Sequence, residues 1–227
     1  MDFTLLSGLA VIHIIALISP GPDFAIIIKM ATQQKRPVAT ACALGISVAI
    51  LIHTLLSLLG ISLMIRQSEL AYTFVQCIGI SYLAWMGFQA LKSALKQVKN
   101  KPINESLAPV NTKEPLNTSP AQTAVISTFK GFKVGLFTNL LNPKALVFFI
   151  TLFTVLITPE VNLATKTVAT TLLFILSLAW FSLLAVFLSK ANIQSKLLSI
   201  SHIIDGLVGI IFIGVALTIA LNLINSF

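Results

Sequence analysis

Apolar residues gather along this chain in six long blocks, at about Phe3–Ile28, Val38–Ile65, Ala71–Leu91, Val134–Ile157, Ala164–Leu188 and Ile203–Ile224. Each reaches the length of about 20 residues that an α-helix needs to cross the hydrocarbon core of a bilayer. Several are longer than that, which predicts tilt or local unwinding. The pattern predicts an all-α membrane protein with six transmembrane helices.

Two of the blocks are interrupted. Ser19-Pro20-Gly21-Pro22-Asp23 breaks the first, and Asn139-Leu140-Leu141-Asn142-Pro143-Lys144 breaks the fourth. Pro20, Pro22 and Pro143 remove backbone donors, and Gly21 permits dihedrals closed to other residues. Unpaired backbone groups in hydrocarbon cost several kcal/mol each, so breaks at this depth must line a cavity inside the protein. Broken helices at matching positions in two halves are a sequence signature of a transporter's binding site.

The stretch Lys92–Ala124 differs from the blocks around it. Pro102, Pro109, Pro115 and Pro120 lie there among Asn, Ser, Thr and Lys, which reads as a polar linker. It divides one transporter domain, 1–227, into three helices over 1–91 and three over 125–227. Leu17-Ile18-Ser19-Pro20 in the first half echoes Leu140-Leu141-Asn142-Pro143 in the second. With that offset, the second block falls close to the fifth. An odd number of spans per repeat forces the second repeat to enter from the opposite side. The expected architecture is therefore two inverted three-helix repeats with helices 1 and 4 broken. Lys130-Gly131-Phe132-Lys133-Val134-Gly135 reads as a snorkelling lead-in to helix 4, and its G-x-x-x-G allows close helix packing.

Composition supports the membrane class. Of 227 residues, 56% are hydrophobic and only 10% charged, against roughly 25% charged in soluble domains. The net charge of +8 does not signal nucleic acid, because the positive residues sit in loops between apolar blocks. Of the 15 lysines and arginines, all but Arg66, Lys166 and Lys144 lie in the first, third and fifth connections or beside them. By the positive-inside rule those connections are cytoplasmic and both termini outside. The glycosylation-like triplets at Asn104 and Asn117 would then be without meaning. The chain opens Met1-Asp2 with no basic segment, so the first block is expected to be a retained helix. Cys42 and Cys77 lie far apart in apolar blocks with no C-x-x-C, which reads as small packing residues.

Candidate chemistry concentrates at the breaks. Asp23 follows the first. A carboxylate there costs at least about 2.5–3.5 kcal/mol on insertion scales, so it should be paired or face water. Burial and a nearby cation act on its protonation in opposite senses, which suits exchange of a proton for a substrate ammonium. Asp23 is also placed to cap the helix that resumes after Pro22. Lys144 follows the second break, where it would pair with Asp23, hold a substrate carboxylate, or snorkel to the inner surface. Asn139 and Asn142 offer donors and acceptors beside freed carbonyls.

Asp205, near the start of helix 6, fits either a helix-dipole role or a proton path. His13, His53 and His202 fall on three helices without metal-ligand spacing, and His53, near mid-span, is the candidate proton relay. Tyr82 and Trp85 are candidates to line a cavity. Gly45, Gly79, Gly87, Gly206, Gly209 and Gly214 read as close-packing positions.

At Ser19-Pro20-Gly21-Pro22-Asp23 and at Gly135…Asn142-Pro143-Lys144 the chain resembles the LysE/RhtB family of bacterial amino-acid exporters. That family carries P-G-P late in helix 1, often followed by Asp or Asn, and N-P-K in the second half. The motif positions map onto Pro20, Gly21, Pro22, Asp23, Asn142, Pro143 and Lys144. The resemblance implies export of amino acids or close derivatives driven by the proton gradient, inner-membrane location and homodimerisation. It implies no cofactor.

The leading expectation is thus an exporter of a small zwitterion, its ammonium on Asp23 and its carboxylate on Lys144 or on freed helix N-termini. The intramembrane charges balance, which favours threonine, homoserine or leucine over lysine. A divalent-metal exporter using Asp23, Asp205 and the histidines is the alternative. Missing thiolates, missing ligand spacing and the Lys144 charge count against it. No Arg-rich phosphate site, C-x-x-C or nucleophile–His–acid set appears, so no enzyme is expected.

Overall fold

A computed structural model describes residues 2–19, 21–99, 125–157, 161–188 and 199–224. Pro20, most of the polar linker with its two triplets, and Lys190 and Lys196 fall outside the described residues. Among those described the chain forms eight helices: α1 (Phe3–Ile18), α2 (Pro22–Gln33), α3 (Arg36–Gln67), α4 (Glu69–Lys99), α5 (Thr128–Leu140), α6 (Pro143–Leu156), α7 (Leu163–Phe187) and α8 (Ser201–Ile224). Four of these are long and apolar enough to cross a membrane unbroken, within α3, α4, α7 and α8. The pairs α1–α2 and α5–α6 bend by 57° and 60° at short breaks, and each pair counted as one span gives six. The expected all-α fold with broken helices 1 and 4 is the fold observed.

Local sequence explains where the helices start. Asp2 caps α1 by accepting from the Leu5 N–H at 2.9 Å. Ser127 caps α5 through the Lys130 N–H at 3.2 Å, and Asn162 caps α7 through the Thr165 N–H at 2.8 Å. Pro22 and Pro143 stand at the first positions of α2 and α6, where a missing N–H costs nothing.

Three boundaries move from their sequence-based places. The helix α4 runs on to Lys99, into the stretch read as linker from Lys92, because Ala, Leu, Lys and Gln are good helix formers and no proline intervenes before Pro102. The helix α5 starts at Thr128 rather than near Val134, so Lys130 and Lys133 ride on its first turns. The first span continues to Gln33.

The packing has the symmetry of an inverted repeat. Equivalent helices meet each other, α3 against α7 and α4 against α8, as a two-fold axis requires. Each broken span packs against the middle helix of the other repeat: α5 and α6 on α3, α1 and α2 on α7. The closest approach is between α3 and α5. A Cβ on Gly45 would strike the Phe132 carbonyl, one on Gly135 the Cys42 carbonyl, and one on Gly131 would lie 2.6 Å from the Val38 carbonyl. The G-x-x-x-G reading of Gly131 and Gly135 is therefore correct. Gly87 and Gly209 face each other across α4 and α8 in the same way. Gly214 instead has open space beside it, so it is not a close-packing position.

Lys35, Arg36, Lys130 and Lys133 lie near one another at one end. The end of α2 lies beside the start of α5, where the Gln34 side chain accepts from the Ile126 N–H at 3.0 Å. At the opposite end the Asp2 N–H donates to Thr165 Oγ1 at 3.3 Å, joining the start of α1 to the start of α7.

Candidate functional site

The two breaks cross inside the bundle, and the second reaches over to the first twice. Asn139 Nδ2 donates to Asp23 Oδ2 at 2.9 Å, and Asn142 Nδ2 lies 3.4 Å from the same oxygen. Lys144 Nζ donates to Ser19 Oγ at 3.1 Å. A Cβ on Gly21 would sit 3.7 Å from that ammonium, an ordinary contact. Asp23 is not the cap of α2. Gly21 occupies the cap position with no side-chain bond, and Asp23 lies in the first turn with its carboxylate turned across to the other repeat. The positive end of the helix dipole still favours a carboxylate there.

Asp23 and Lys144 do not form an ion pair, although both belong to the crossing. Lys144 does not snorkel away either, since Ser19 holds it at the break. Asn142 works at two levels. Its Oδ1 caps α6 through the Lys144 N–H at 3.0 Å, while its amide nitrogen faces Asp23. Asp23 Oδ1 is buried and has no hydrogen-bond partner. A buried carboxylate oxygen left in that state is costly, and a proton, a water or a cationic ligand would relieve it.

His53 lies behind this centre. Its Nε2 is 3.2 Å from the Asn139 carbonyl, which can only accept, so Nε2 carries the proton. His13, which sequence reasoning did not single out, makes the matching contact in the other half. Its Nε2 is 2.8 Å from Ser177 Oγ. That hydroxyl donates to the Leu173 carbonyl at 2.7 Å, so the imidazole donates here too. Each of the two contacts joins a broken span of one repeat to the middle helix of the other. The rings of His13 and His53 flank Phe149, at 5.7 and 5.9 Å between centroids.

Two spaces meet at Lys144. One is a crevice of about 60 Å³ lined by His13, Asp23, Asn139, Asn142, Phe149 and Lys144 among others. The other is a vestibule of about 710 Å³ between α2 on one side and α4 with α8 on the other. Ser19, Gly21, Phe24, Met86 and Lys144 line both. Tyr82 and Trp85 border the vestibule with ring centroids 5.5 Å apart, as the sequence suggested. Asp205 borders it as well. Asp205 lies beyond the first turn of α8, so the dipole role does not apply. Its Oδ2 accepts from Ser93 Oγ at 3.1 Å and Gln97 Nε2 at 3.3 Å, and Gln97 Oε1 accepts from Ser201 at 2.9 Å. Among the described residues no group of three or more His, Cys, Asp and Glu side chains comes together as a metal site.

Sequence reasoning also passed over Ser19, Ser93, Gln97 and Phe149. A serine within a membrane-depth break was the available signal for Ser19. The others became visible only once distant helices were packed.

Six spans in two inverted repeats, with charged side chains at the crossing of two broken helices, define a multi-pass membrane transporter. The model of the LysE type translocator family matches residues 14–223, and the chain belongs to that family, a class of transporters rather than enzymes. It is 30% identical over 205 residues to a protein named threonine efflux protein from Escherichia coli strain K12, covering 90% of this chain and 92% of the relative. The identity and coverage are the same against the threonine efflux protein of Salmonella typhi. An uncharacterized membrane protein of Haemophilus influenzae is 26% identical over 220 residues, 96% of this chain and 97% of that protein. No solved structure matches the chain.

Proposed function

We propose that this protein exports small neutral amino acids, threonine-like in size and polarity, across the bacterial inner membrane in exchange for protons. One observation carries the reading. The crossed breaks carry the Lys144 ammonium where a vestibule meets a buried crevice, and the Asp23 carboxylate inside that crevice. A zwitterion needs both signs of charge, and a coupled transporter needs one group free to change its own. Lys144, facing both spaces, receives the substrate carboxylate. Asp23, in a crevice of about 60 Å³, carries the coupling proton, with Asn139 and Asn142 orienting its carboxylate and His53 orienting Asn139. The relatives named threonine efflux proteins, at 30% identity over nearly the whole chain, support the substrate class.

In this reading the termini are outside and residues 92–124 form the cytoplasmic linker of a single domain. The vestibule then opens to the cytoplasm, on the basic side. Rocking of one repeat against the other closes it and opens the opposite side. Protonation of Asp23 from outside releases substrate there, and deprotonation inside reloads the site. Assembly as a homodimer, implied by the family resemblance, belongs to the same reading, and cross-linking in native membranes tests it. The metal-exporter alternative has less support, because the Lys144 ammonium faces the space a cation would occupy.

The test is efflux from cells preloaded with a mixture of labelled amino acids, with and without a proton uncoupler. Uncoupler-sensitive loss of threonine or a few neutral amino acids is expected. No selective loss from correctly inserted protein would overturn the substrate class. Full gradient-driven export by Asp23→Asn would overturn the proton role.

A further inference from the structure

The proposed function leaves the substrate's ammonium without a residue. Asp23 is the obvious partner by sequence, but its surroundings argue against it. The crevice around it, at about 60 Å³, is far below the roughly 300–1,000 Å³ of pockets that enclose small molecules. The vestibule is of substrate size, at about 710 Å³, and Asp205 is the one acidic side chain among its described lining residues.

Asp205 is only 6% exposed, yet it borders that cavity. Its Oδ2 is held by Ser93 and Gln97, while its Oδ1 accepts no hydrogen bond from a described residue. Two donors fixed on one oxygen aim the other, as in a binding carboxylate. The Ser93–Gln97–Ser201 chain of hydrogen bonds ties this arrangement to both α4 and α8. Lys144 lines the same cavity. Tyr82, Trp85 and Trp180 supply aromatic walls, which suit an ammonium with an apolar side chain beside it.

Resting on the amino-acid reading above, we infer that Asp205 is the ammonium subsite of the vestibule: a primary ammonium sits on its free oxygen while the substrate carboxylate faces Lys144. Substrate and proton then use different carboxylates, Asp205 and Asp23. The ligand class is an α-amino acid with both ends charged. A hydroxy acid lacking the ammonium, or an amine lacking the carboxylate, forms only one of the two contacts.

The experiment uses the full chain in liposomes, with exchange of labelled L-threonine measured against its concentration. Wild type must first show saturable exchange; its absence would overturn the amino-acid reading itself. Given exchange, Asp205→Asn is expected to raise half-saturation by about 10–100-fold, as for a lost charge-assisted contact, with the response to an imposed proton gradient retained. Asp205→Glu should recover most of the affinity. Asp23→Asn should lose the response to the gradient, the step assigned to that carboxylate. Unchanged half-saturation in a folded Asp205→Asn protein would overturn the inference. Should that variant fail to fold, Ala90→Cys on the vestibule wall, in a chain carrying Cys42→Ala and Cys77→Ala, decides. L-threonine is expected to slow its alkylation, and 2,3-dihydroxybutyrate, which lacks the ammonium, to do so far less. Equal protection by both, or none by L-threonine, would overturn the inference.

Discussion

On the basic side of the bundle, α2 stands across a vestibule of about 710 Å³ from α4 and α8. On the opposite side the corresponding half-span, α6, is packed against α4, and the space left among α1, α4, α6 and α8 is about 20 Å³. These two regions are built from equivalent pieces. The half-spans α2 and α6 both start at a proline, Pro22 and Pro143; Phe24, Ala25 and Ile28 of α2 line the vestibule, while Phe148, Thr151 and Leu152 of α6 line the small sealed space. The seal includes Gly79, where a Cβ would come within 2.7 Å of Thr151 Oγ1.

A strict two-fold would make both sides alike. One pair of half-spans stands apart and the other lies together. In the transport cycle proposed above, exchanging the two arrangements between the repeats would give the oppositely open form. Packed interfaces of this kind switch between discrete arrangements more readily than they deform. The breaks make it possible, because a half-span can tilt without dragging its other half through the bilayer.

The frame that both states share is the α3–α5 contact, so the largest expected effect lies there. Gly135→Leu would drive a side chain into the Cys42 carbonyl, against backbone that cannot yield. Overpacking costs about 1–3 kcal/mol, occasionally more. We expect little folded protein after detergent extraction, read by size-exclusion profile and thermal midpoint, whichever side is open. A well-folded variant would show that the frame is not rigid.

Lys144 comes next, since it borders both the vestibule and the crevice. Lys144→Met keeps much of the side-chain volume and removes the charge. Losing a hydrogen bond to a charged group costs about 1.5–3 kcal/mol, so gradient-driven efflux should fall about 10–100-fold, with normal insertion on a membrane blot. Near-normal efflux would separate the site from the meeting point of the two spaces.

Gly79→Ala is the smallest change and the most specific to the comparison. It wedges only the sealed side, where Thr151 is stiff at χ1. A cost of about 1 kcal/mol to the sealed arrangement would shift the balance between states about five-fold. The check is whether a thiol placed at Leu156, which lines the same sealed space, reacts faster in that background while Asp205-dependent affinity changes little.

Much of this was legible in the sequence. Six apolar blocks, two breaks and an odd repeat fix the spans and their inversion, because hydrocarbon permits few ways to bury a backbone. Asp23, Asn139, Asn142 and Lys144 stood out because polar groups at that depth need a reason. Their pairing did not follow from that. The sequence also allows Asp23 as a cap, but Gly21 takes that position, since Pro22 at the first helical position shifts Asp23 into the turn. His13 was set aside as one of three scattered histidines; its contact with Ser177 appears only when α1 meets α7. Asp205 gains its meaning from Ser93 and Gln97 on α4. The α4 boundary moved because a polar, lysine-rich stretch is compatible with helix as long as proline is absent. The difference between the two sides could not be read at all, because both repeats contribute similar residues and only their relative tilt distinguishes open from sealed.

That difference can be measured directly. Cysteines at Ile28 and at Thr151, each in a chain carrying Cys42→Ala and Cys77→Ala, report the vestibule and the seal. Their alkylation rates are compared in membrane vesicles with and without an imposed proton gradient, in the presence of L-threonine. The account predicts opposite changes: conditions that slow reaction at position 28 speed it at position 151, by comparable factors. Rates that rise and fall together, or a position 151 that never reacts while transport proceeds, would contradict it.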